Sequence, residues 1–238
     1  LLAVTGVQTC ALPISRIALA LAVVQRSVAY LTAYQSKRYA RRYQKLVDKA
    51  VAAEQRLGVG EKFSIAVARY YFKLLAIKDE YEVARLYASD EFRQQLDAAF
   101  EGDYTLKFHV GAWPFGGTDK DGRPVKKAVG PWLMKAFGVL KHGKRLRGTP
   151  LDPFRRSAER QLALTLLADY EQEIERLIAG LSADNYELST RIAALPEKVR
   201  GYGHVREQHA NDVAQQRAAL HAELAGSSST QSPTQSSS

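Results

Sequence analysis

The sequence predicts a mainly α, multi-helix domain with a small β-hairpin or irregular insert near residues 103–130. Three patterns carry that expectation. Ile17, Leu21, Val24, Val28, Leu31 and Tyr34 recur at alternating spacings of three and four. Leu162, Leu166, Tyr170, Ile174, Leu177 and Leu181 repeat the pattern late in the chain, and such spacing places one apolar stripe on a helix. Between them, Tyr104, Leu106, Phe108 and Val110 alternate with polar neighbours, which is the period of a half-buried strand.

The elements follow in order. The first helix continues through residues 36–57, more polar there, and stops at Gly58-Val59-Gly60. Its KRYARRYQK stretch (37–45) interleaves five cations with Tyr39 and Tyr43, a pattern of nucleic-acid binding as well as of a solvated helix face. Residues 61–77 form a second helix, with Phe63, Val67, Tyr70 or Tyr71, and Leu74 inward. In KDEYEVARLY (78–87), Val83, Leu86 and Tyr87 keep helical spacing. There Asp79, Glu80 and Glu82 crowd around Tyr81, with Lys78 and Arg85 as counter-charges. Such carboxylates suit acid–base work or a hard metal; a helix face of paired charges is the commoner arrangement. A short helix spans 90–100, capped by Ser89 or Asp90.

The insert reads as a strand, a loop carrying Trp113-Pro114, a turn at Asp121-Gly122 and a second short run at 125–129. His109 lies on the opposite parity from Phe108 and receives no catalytic role. Residues 131–140 form a short helix. A basic loop then holds Lys141, Lys144, Arg145 and Arg147 beside glycines, without the spacing of a phosphate-binding loop. Asp152-Pro153 looks like an N-cap with Pro at the first helical position. On the long helix that follows, Glu171, Glu173, Glu175 and Arg176 cover the polar side. Residues 184–195 make a shorter helix ended by Pro196, and 200–224 give a Gly-punctuated turn and a closing helix. His204 and His209 are five apart, the wrong spacing for two metal ligands on one face. Residues 225–238 are polar and of low complexity, the composition of a disordered tail.

The chain of 238 residues carries 34 basic and 25 acidic side chains, a formal charge of +9. That balance suits nucleic acid, an anionic cofactor or an acidic protein, and equally a solvated helical surface. The longest apolar run, residues 17–24, falls short of the roughly 20 residues a spanning helix needs, so the expected location is cytoplasmic, with no membrane partner. The opening VTGVQTCALPI (4–14) lacks either periodicity and resembles a translated sequencing adaptor; residues 1–15 are therefore read as an artefact. The only cysteine, Cys10, lies inside it. Without it the chain offers no thiolate for a disulfide, an iron–sulfur cluster or a Cys-type zinc site.

Six strings stand in one order along the chain: KDEYEVARLY (78–87), FEGDYTLKFH (100–109), GPW (130–132), LRGTPLDPF (146–154), AER (158–160) and RGYGHVRE (200–207). Together they resemble the C-terminal region of the long, fused bacterial indolepyruvate ferredoxin oxidoreductases, and the resemblance covers residues 16–224. It departs at Pro150 and at Arg155-Arg156. The resemblance implies a parent enzyme that uses thiamine diphosphate and magnesium, decarboxylates arylpyruvates oxidatively, passes electrons through an iron–sulfur cluster to ferredoxin and forms an acyl-coenzyme A. No thiamine-site motif occurs in this stretch, so it reads as a helical accessory or assembly domain, without catalytic residues, metal or bound cofactor of its own. Its implied partners are the missing N-terminal catalytic domains, ferredoxin for the parent, and further copies in a homo-oligomer.

Lys78, Asp79, Glu80, Tyr81, Arg85, Arg147, Asp152, Arg160, Arg200 and His204 are the candidate interface residues, with a buried polar network as the competing reading. Lys141, Lys144, Arg145 and Arg147 are the candidate docking loop. The rival function is a stand-alone basic helical module that binds nucleic acid through 37–45 and 141–147. If residues 1–15 are foreign to the fold, deleting them leaves the melting temperature unchanged within error; a drop of several degrees shows that they belong to it.

Overall fold

The computed structural model describes residues 16–102, 104–110, 117–118, 124–125 and 127–229. The opening stretch, the Trp113-Pro114 loop, the Asp121-Gly122 turn and the end of the tail lie outside the described residues. The chain is mainly helical with a small antiparallel insert. Along it run α1 (Arg16–Tyr34), α2 (Lys37–Leu57), α3 (Lys62–Leu75), α4 (Glu80–Tyr87) and α5 (Asp90–Ala99). Four short strands follow, β1 (Phe108–Val110), β2 (Gly117–Thr118), β3 (Pro124–Val125) and β4 (Lys127–Val129). Then come α6 (Trp132–Leu140), a 3₁₀ helix (Lys141–Leu146), α7 (Ala158–Gly180), α8 (Tyr186–Ala194), a 3₁₀ helix (Leu195–Lys198) and α9 (His204–Ser229). Two compact units result, one of Ile77–Gln161 and one of the residues before and after it.

The flanking unit is built on α1, α2, α3, α8, α9 and α7 from Leu162. The single first helix expected from the sequence is two. Ser36 is extended, and its hydroxyl accepts from Tyr39 N at 3.2 Å. That bond satisfies one of the free N–H groups of a new helix start. Gly58 ends α2 at φ 66°, a left-handed cap that donates to Glu54 O at 2.9 Å. Of the α1 stripe, Leu31 and Tyr34 are buried and Val24 and Val28 half-buried, while the side chains of Ile17 and Leu21 lie outside the described residues; on α3, Phe63, Val67, Tyr70, Tyr71 and Leu74 are all buried.

Tyrosines fill much of this core. The Tyr43 and Tyr71 rings stack at 5.8 Å, and those of Tyr71 and Tyr170 at 6.1 Å. Each buried hydroxyl finds an acceptor, since an unpaired one costs more than its ring gains. Tyr43 donates to Ala68 O at 3.1 Å and Tyr170 to Ala193 O at 2.9 Å. Burial raises the Tyr170 hydroxyl far above its ordinary pKa.

Two carboxylates that the sequence assigns to helix surface or leaves unremarked are interior. Glu54 accepts from Phe63 N and from Tyr186 Oη, each at 2.7 Å, and so joins α2, the start of α3 and α8. Glu173 is buried rather than on the polar side of α7, 3.0 Å from His221 Nε2 on α9. Helix α9 also runs to Ser229, beyond the end expected at Leu224.

In the unit of Ile77–Gln161, α4 turns Tyr81, Glu82 and Ala84 inward, while Leu86 and Tyr87 are partly exposed. Ser89 caps α5 through Phe92 N at 3.2 Å. The alternation over 104–110 yields a paired strand only at its end. β1 pairs antiparallel with β4, Phe108 opposite Val129 and Val110 opposite Lys127, and β2 pairs with β3. The three residues of β4 leave nothing for 104–107 to pair with, and Tyr104 instead donates to Asp97 at 3.0 Å. Ala84, Val129, Leu133 and Phe137 form the core, joined by Phe108. Tyr87 stacks on Phe137 at 5.6 Å.

Glu54→Ala strands the Phe63 amide and the Tyr186 hydroxyl in the interior. The expected loss is about 2–4 kcal/mol, read from urea unfolding of the full chain. Tyr186→Phe, which removes one partner and leaves Glu54 bound to Phe63 N, is expected to cost less.

Candidate functional site

The candidate site is a buried ionic network within the unit of Ile77–Gln161. Its hub is Asp79, in the residue before α4. The extended backbone there aims the carboxylate back at the helix, and Oδ1 accepts from Glu82 N at 2.9 Å as an N-cap. A carboxylate suits that end because unsatisfied N–H groups and the helix dipole make it positive. Arg147, directly after the first 3₁₀ helix, grips the same carboxylate with both edges of its guanidinium. Nε donates to Oδ2 at 2.6 Å and Nη2 to Oδ1 at 2.8 Å. This is the fork-on-fork geometry that makes Arg–carboxylate pairs strong and directional.

A second arginine closes the arrangement. Arg160, in the first turn of α7, places Nη2 3.1 Å from Asp79 Oδ2 and 3.6 Å from Glu80 Oε2. Its Nη1 lies 3.6 Å from Asp152 Oδ2. These contacts are ion pairs; Nη2 has no hydrogen bond of ordinary geometry among the described residues. Asp152 in turn accepts from Tyr81 Oη at 3.0 Å, Phe154 N at 3.1 Å and Gly148 N at 3.3 Å. The Arg147 guanidinium lies 5.7 Å from the centre of the Tyr81 ring, within cation–π reach, and Phe154 meets that ring edge-on at 5.4 Å.

Asp79, Tyr81, Arg147, Asp152 and Arg160 are all buried. Burial and the bond to Asp152 push the Tyr81 hydroxyl well above its ordinary pKa. Glu80 is raised as well, because loss of water around its carboxyl outweighs the attraction of Arg160. The Asp79 and Asp152 carboxylates are occupied by arginine, hydroxyl and amide donors. The arrangement locks four segments together. Among the described residues no group of His, Cys, Asp and Glu could hold a metal ion.

Of the ten candidate residues, six meet in this network: Asp79, Glu80, Tyr81, Arg147, Asp152 and Arg160. Arg85 makes a separate two-pronged pair with buried Glu82, at 2.7 and 2.8 Å. Lys78 is exposed. Arg200 and His204 belong to the other unit and are exposed; Arg200 Nε donates to Glu197 O at 3.1 Å.

Two expectations need correction. Asp152 does not cap α7, which starts six residues later with the Ser157 hydroxyl accepting from Arg160 N at 3.3 Å. Asp152 instead caps its own turn, where its oxygens meet nearer amides. Arg147 does not belong to the docking loop, since its charge is spent on Asp79 in the interior; Lys141, Lys144 and Arg145 lie on the 3₁₀ helix.

Sequence reasoning missed Gly143 and Phe154. A Cβ on Gly143 would stand 2.5 Å from Tyr81 Cε1, so the backbone passes against the ring where only glycine fits. In the other unit, the tyrosines of the basic stretch on α2 turn inward. Tyr43 is fully buried and Tyr39 donates to Leu75 O at 3.0 Å, so neither is an open stacking platform. Arg42 pairs with Glu171 through two bonds, at 2.6 and 2.7 Å.

Residues 20–219 match the model of a family of unknown function, DUF6537, and the chain belongs to that family. No curated protein and no solved structure matches it.

Removing one member of the central pair leaves a buried charge uncompensated. Asp79→Ala is expected to destabilise the full chain by about 3–5 kcal/mol, and Arg147→Met by a similar amount. The double variant should recover a large part of the loss, a coupling read from a double-mutant cycle in urea. Glu80→Gln should do the opposite at neutral pH and stabilise. Because the folded-state pKa of Glu80 is raised, its favourable contribution exists below the ordinary Glu value and is lost as pH rises through the folded one. The advantage of the Gln variant should therefore shrink as pH falls from neutral through the raised folded value, and be gone at and below the ordinary value of about 4.5.

Proposed function

We propose that this chain is the helical accessory or assembly domain of a thiamine-diphosphate-dependent indolepyruvate (arylpyruvate):ferredoxin oxidoreductase. In this reading the chemistry belongs to catalytic domains upstream in the same polypeptide. Thiamine diphosphate, magnesium and an iron–sulfur cluster are held there, ferredoxin takes the electrons and coenzyme A takes the acyl group. This domain supplies a rigid, cofactor-free body in the cytoplasmic enzyme and its homo-oligomer.

The observation that supports the reading is where the resembling strings fall. KDEYEVARLY contributes Asp79, Glu80 and Tyr81; LRGTPLDPF contributes Arg147, Asp152 and Phe154; AER contributes Arg160. Three strings, one at 78–87 and two close together at 146–154 and 158–160, thus furnish one ionic network. Residues that serve only to hold a fold are those a shared architectural role needs, and their carboxylates are already occupied by internal partners.

The decisive test is the complete gene. Thiamine-binding and 2-oxoacid oxidoreductase domains are expected to be encoded ahead of residue 16, and their absence overturns the reading. In solution, the chain alone should reduce no viologen dye with indolepyruvate, coenzyme A, thiamine diphosphate and magnesium, whereas the full-length enzyme should.

A further inference from the structure

We infer that the exposed face of α6 and the 3₁₀ helix that follows it form a docking surface for an acidic, partly apolar protein surface, with Trp132, Lys135, Val139 and Arg145 as its contacts. The inference stands on charge and exposure and does not depend on the role proposed above.

Charge is distributed very unevenly along this chain. Residues 123–160 hold 11 Lys and Arg against two acids, Asp152 and Glu159, a balance of +9. That equals the net charge of the entire molecule, so the other 200 residues carry 23 charges of each sign. Arg147 and Arg160 are consumed by the internal network. Lys127, Lys135, Arg145, Arg155 and Arg156 are exposed and make no ion pair among the described residues. Like charges at this density repel, and an anionic partner relieves that repulsion.

Apolar exposure is concentrated in the same unit. Nine of the fourteen large apolar side chains left exposed among the described residues belong to Ile77–Gln161. On α6, Leu133 and Phe137 face the core, while Trp132 is 54% and Val139 is 76% exposed. Trp132, Lys135 and Val139 lie at i, i+3 and i+7, which sets them on one face of the helix. Arg145 extends the cationic surface along the 3₁₀ helix.

The mixture identifies the partner's chemistry. A nucleic-acid backbone would use the cations, but phosphates offer nothing to an aliphatic side chain such as Val139. A lipid surface would need an apolar face with the charges on the opposite side. Here Lys135 stands between the two apolar contacts, and the other face is already spent on the core. A protein surface that presents carboxylates around apolar positions satisfies both components, with Trp and Arg as the anchors that interfaces favour.

The test uses the full chain and a labelled random copolymer of glutamate and tyrosine, followed by fluorescence anisotropy at about 0.15 M salt, where long-range attraction is largely screened. Lys135→Glu and Arg145→Glu should each weaken binding about tenfold. Trp132→Ala should weaken binding of the copolymer more than that of polyglutamate, which lacks rings. Lys37→Glu/Arg38→Glu on α2, an equal or larger change of net charge at exposed positions, should leave affinity within about twofold. All variants should melt with the wild type, since the altered side chains are exposed; Val139→Glu serves as a replacement should one of them fail to fold. Equal weakening by the α2 control, or no weakening by the α6 and 3₁₀ variants, overturns the proposal. So does tighter, Trp132-dependent binding to phosphatidylglycerol vesicles or to a single-stranded oligonucleotide.

Discussion

The contact on which the unit of Ile77–Gln161 depends is the one between Asp79 and Arg147. Asp79 does two jobs with one carboxylate, capping α4 through Oδ1 and holding the Arg147 fork through both oxygens. The first job fixes where α4 begins, and the second fixes the end of the 3₁₀ helix against it. Arg160 and Asp152 extend the lock to the first turn of α7 and to the turn at 148–154. Each bond constrains the geometry of the next, so the network tolerates little displacement. Tyr81 and Gly143 show this sterically, with the ring lying against bare backbone where a methyl group would collide.

Such an arrangement is expensive to desolvate, and a well-packed apolar substitute is often as stable. What an ionic network adds is direction. The apolar core of this unit is small, with Ala84, Val129, Leu133 and Phe137 at its centre. Apolar contact alone would allow several packings of so few side chains. A bidentate Arg147–Asp79 pair accepts one orientation, and a misplaced helix would strand a charge. The other unit solves the same problem differently. Its large core is mostly helix stripe and tyrosine, and polarity enters at single points such as Glu54, where one carboxylate satisfies both an amide and a hydroxyl.

Helix existence was legible because it depends on local periodicity. The stripes through Leu31, Val67 and Ile174 supply much of the core, although Val24, Val28, Leu162, Leu166 and Leu181 are only half-buried and Ala163 and Leu167 are buried instead at the start of α7. Membership of the polar site was legible in part, since Asp79, Arg147, Asp152 and Arg160 stand out as charges within unusual strings. Their pairing was not. Asp79 and Arg147 are separated by 68 positions, and no periodicity links them. The break at Ser36 was hidden because the apolar spacing runs through it, and only the hydroxyl bond to Tyr39 N reveals a cap. Glu173 was misplaced because a charged residue among other charges on a helix reads as surface. Its neighbour His221, 3.0 Å away, is 48 positions along the chain on another helix.

The network also changes how the basic charge of the chain is read. A run of cations in sequence suggests a surface, yet Arg147 and Arg160 face inward and meet Asp79, Glu80 and Asp152. Removing those two from the surface separates a structural set of cations from an external one. The external set, with Lys135 and Arg145, borders the exposed side of α6, whose opposite side is fixed in the core by Leu133 and Phe137. Leu133 and Phe137 anchor α6 in that core, and Trp132 and Val139 remain outward, which leaves two large apolar groups in solvent. A fold without an external use for that face could have turned those side chains inward and enlarged a core of only a few residues. Instead α6 keeps them outside, beside the exposed cations Lys135 and Arg145.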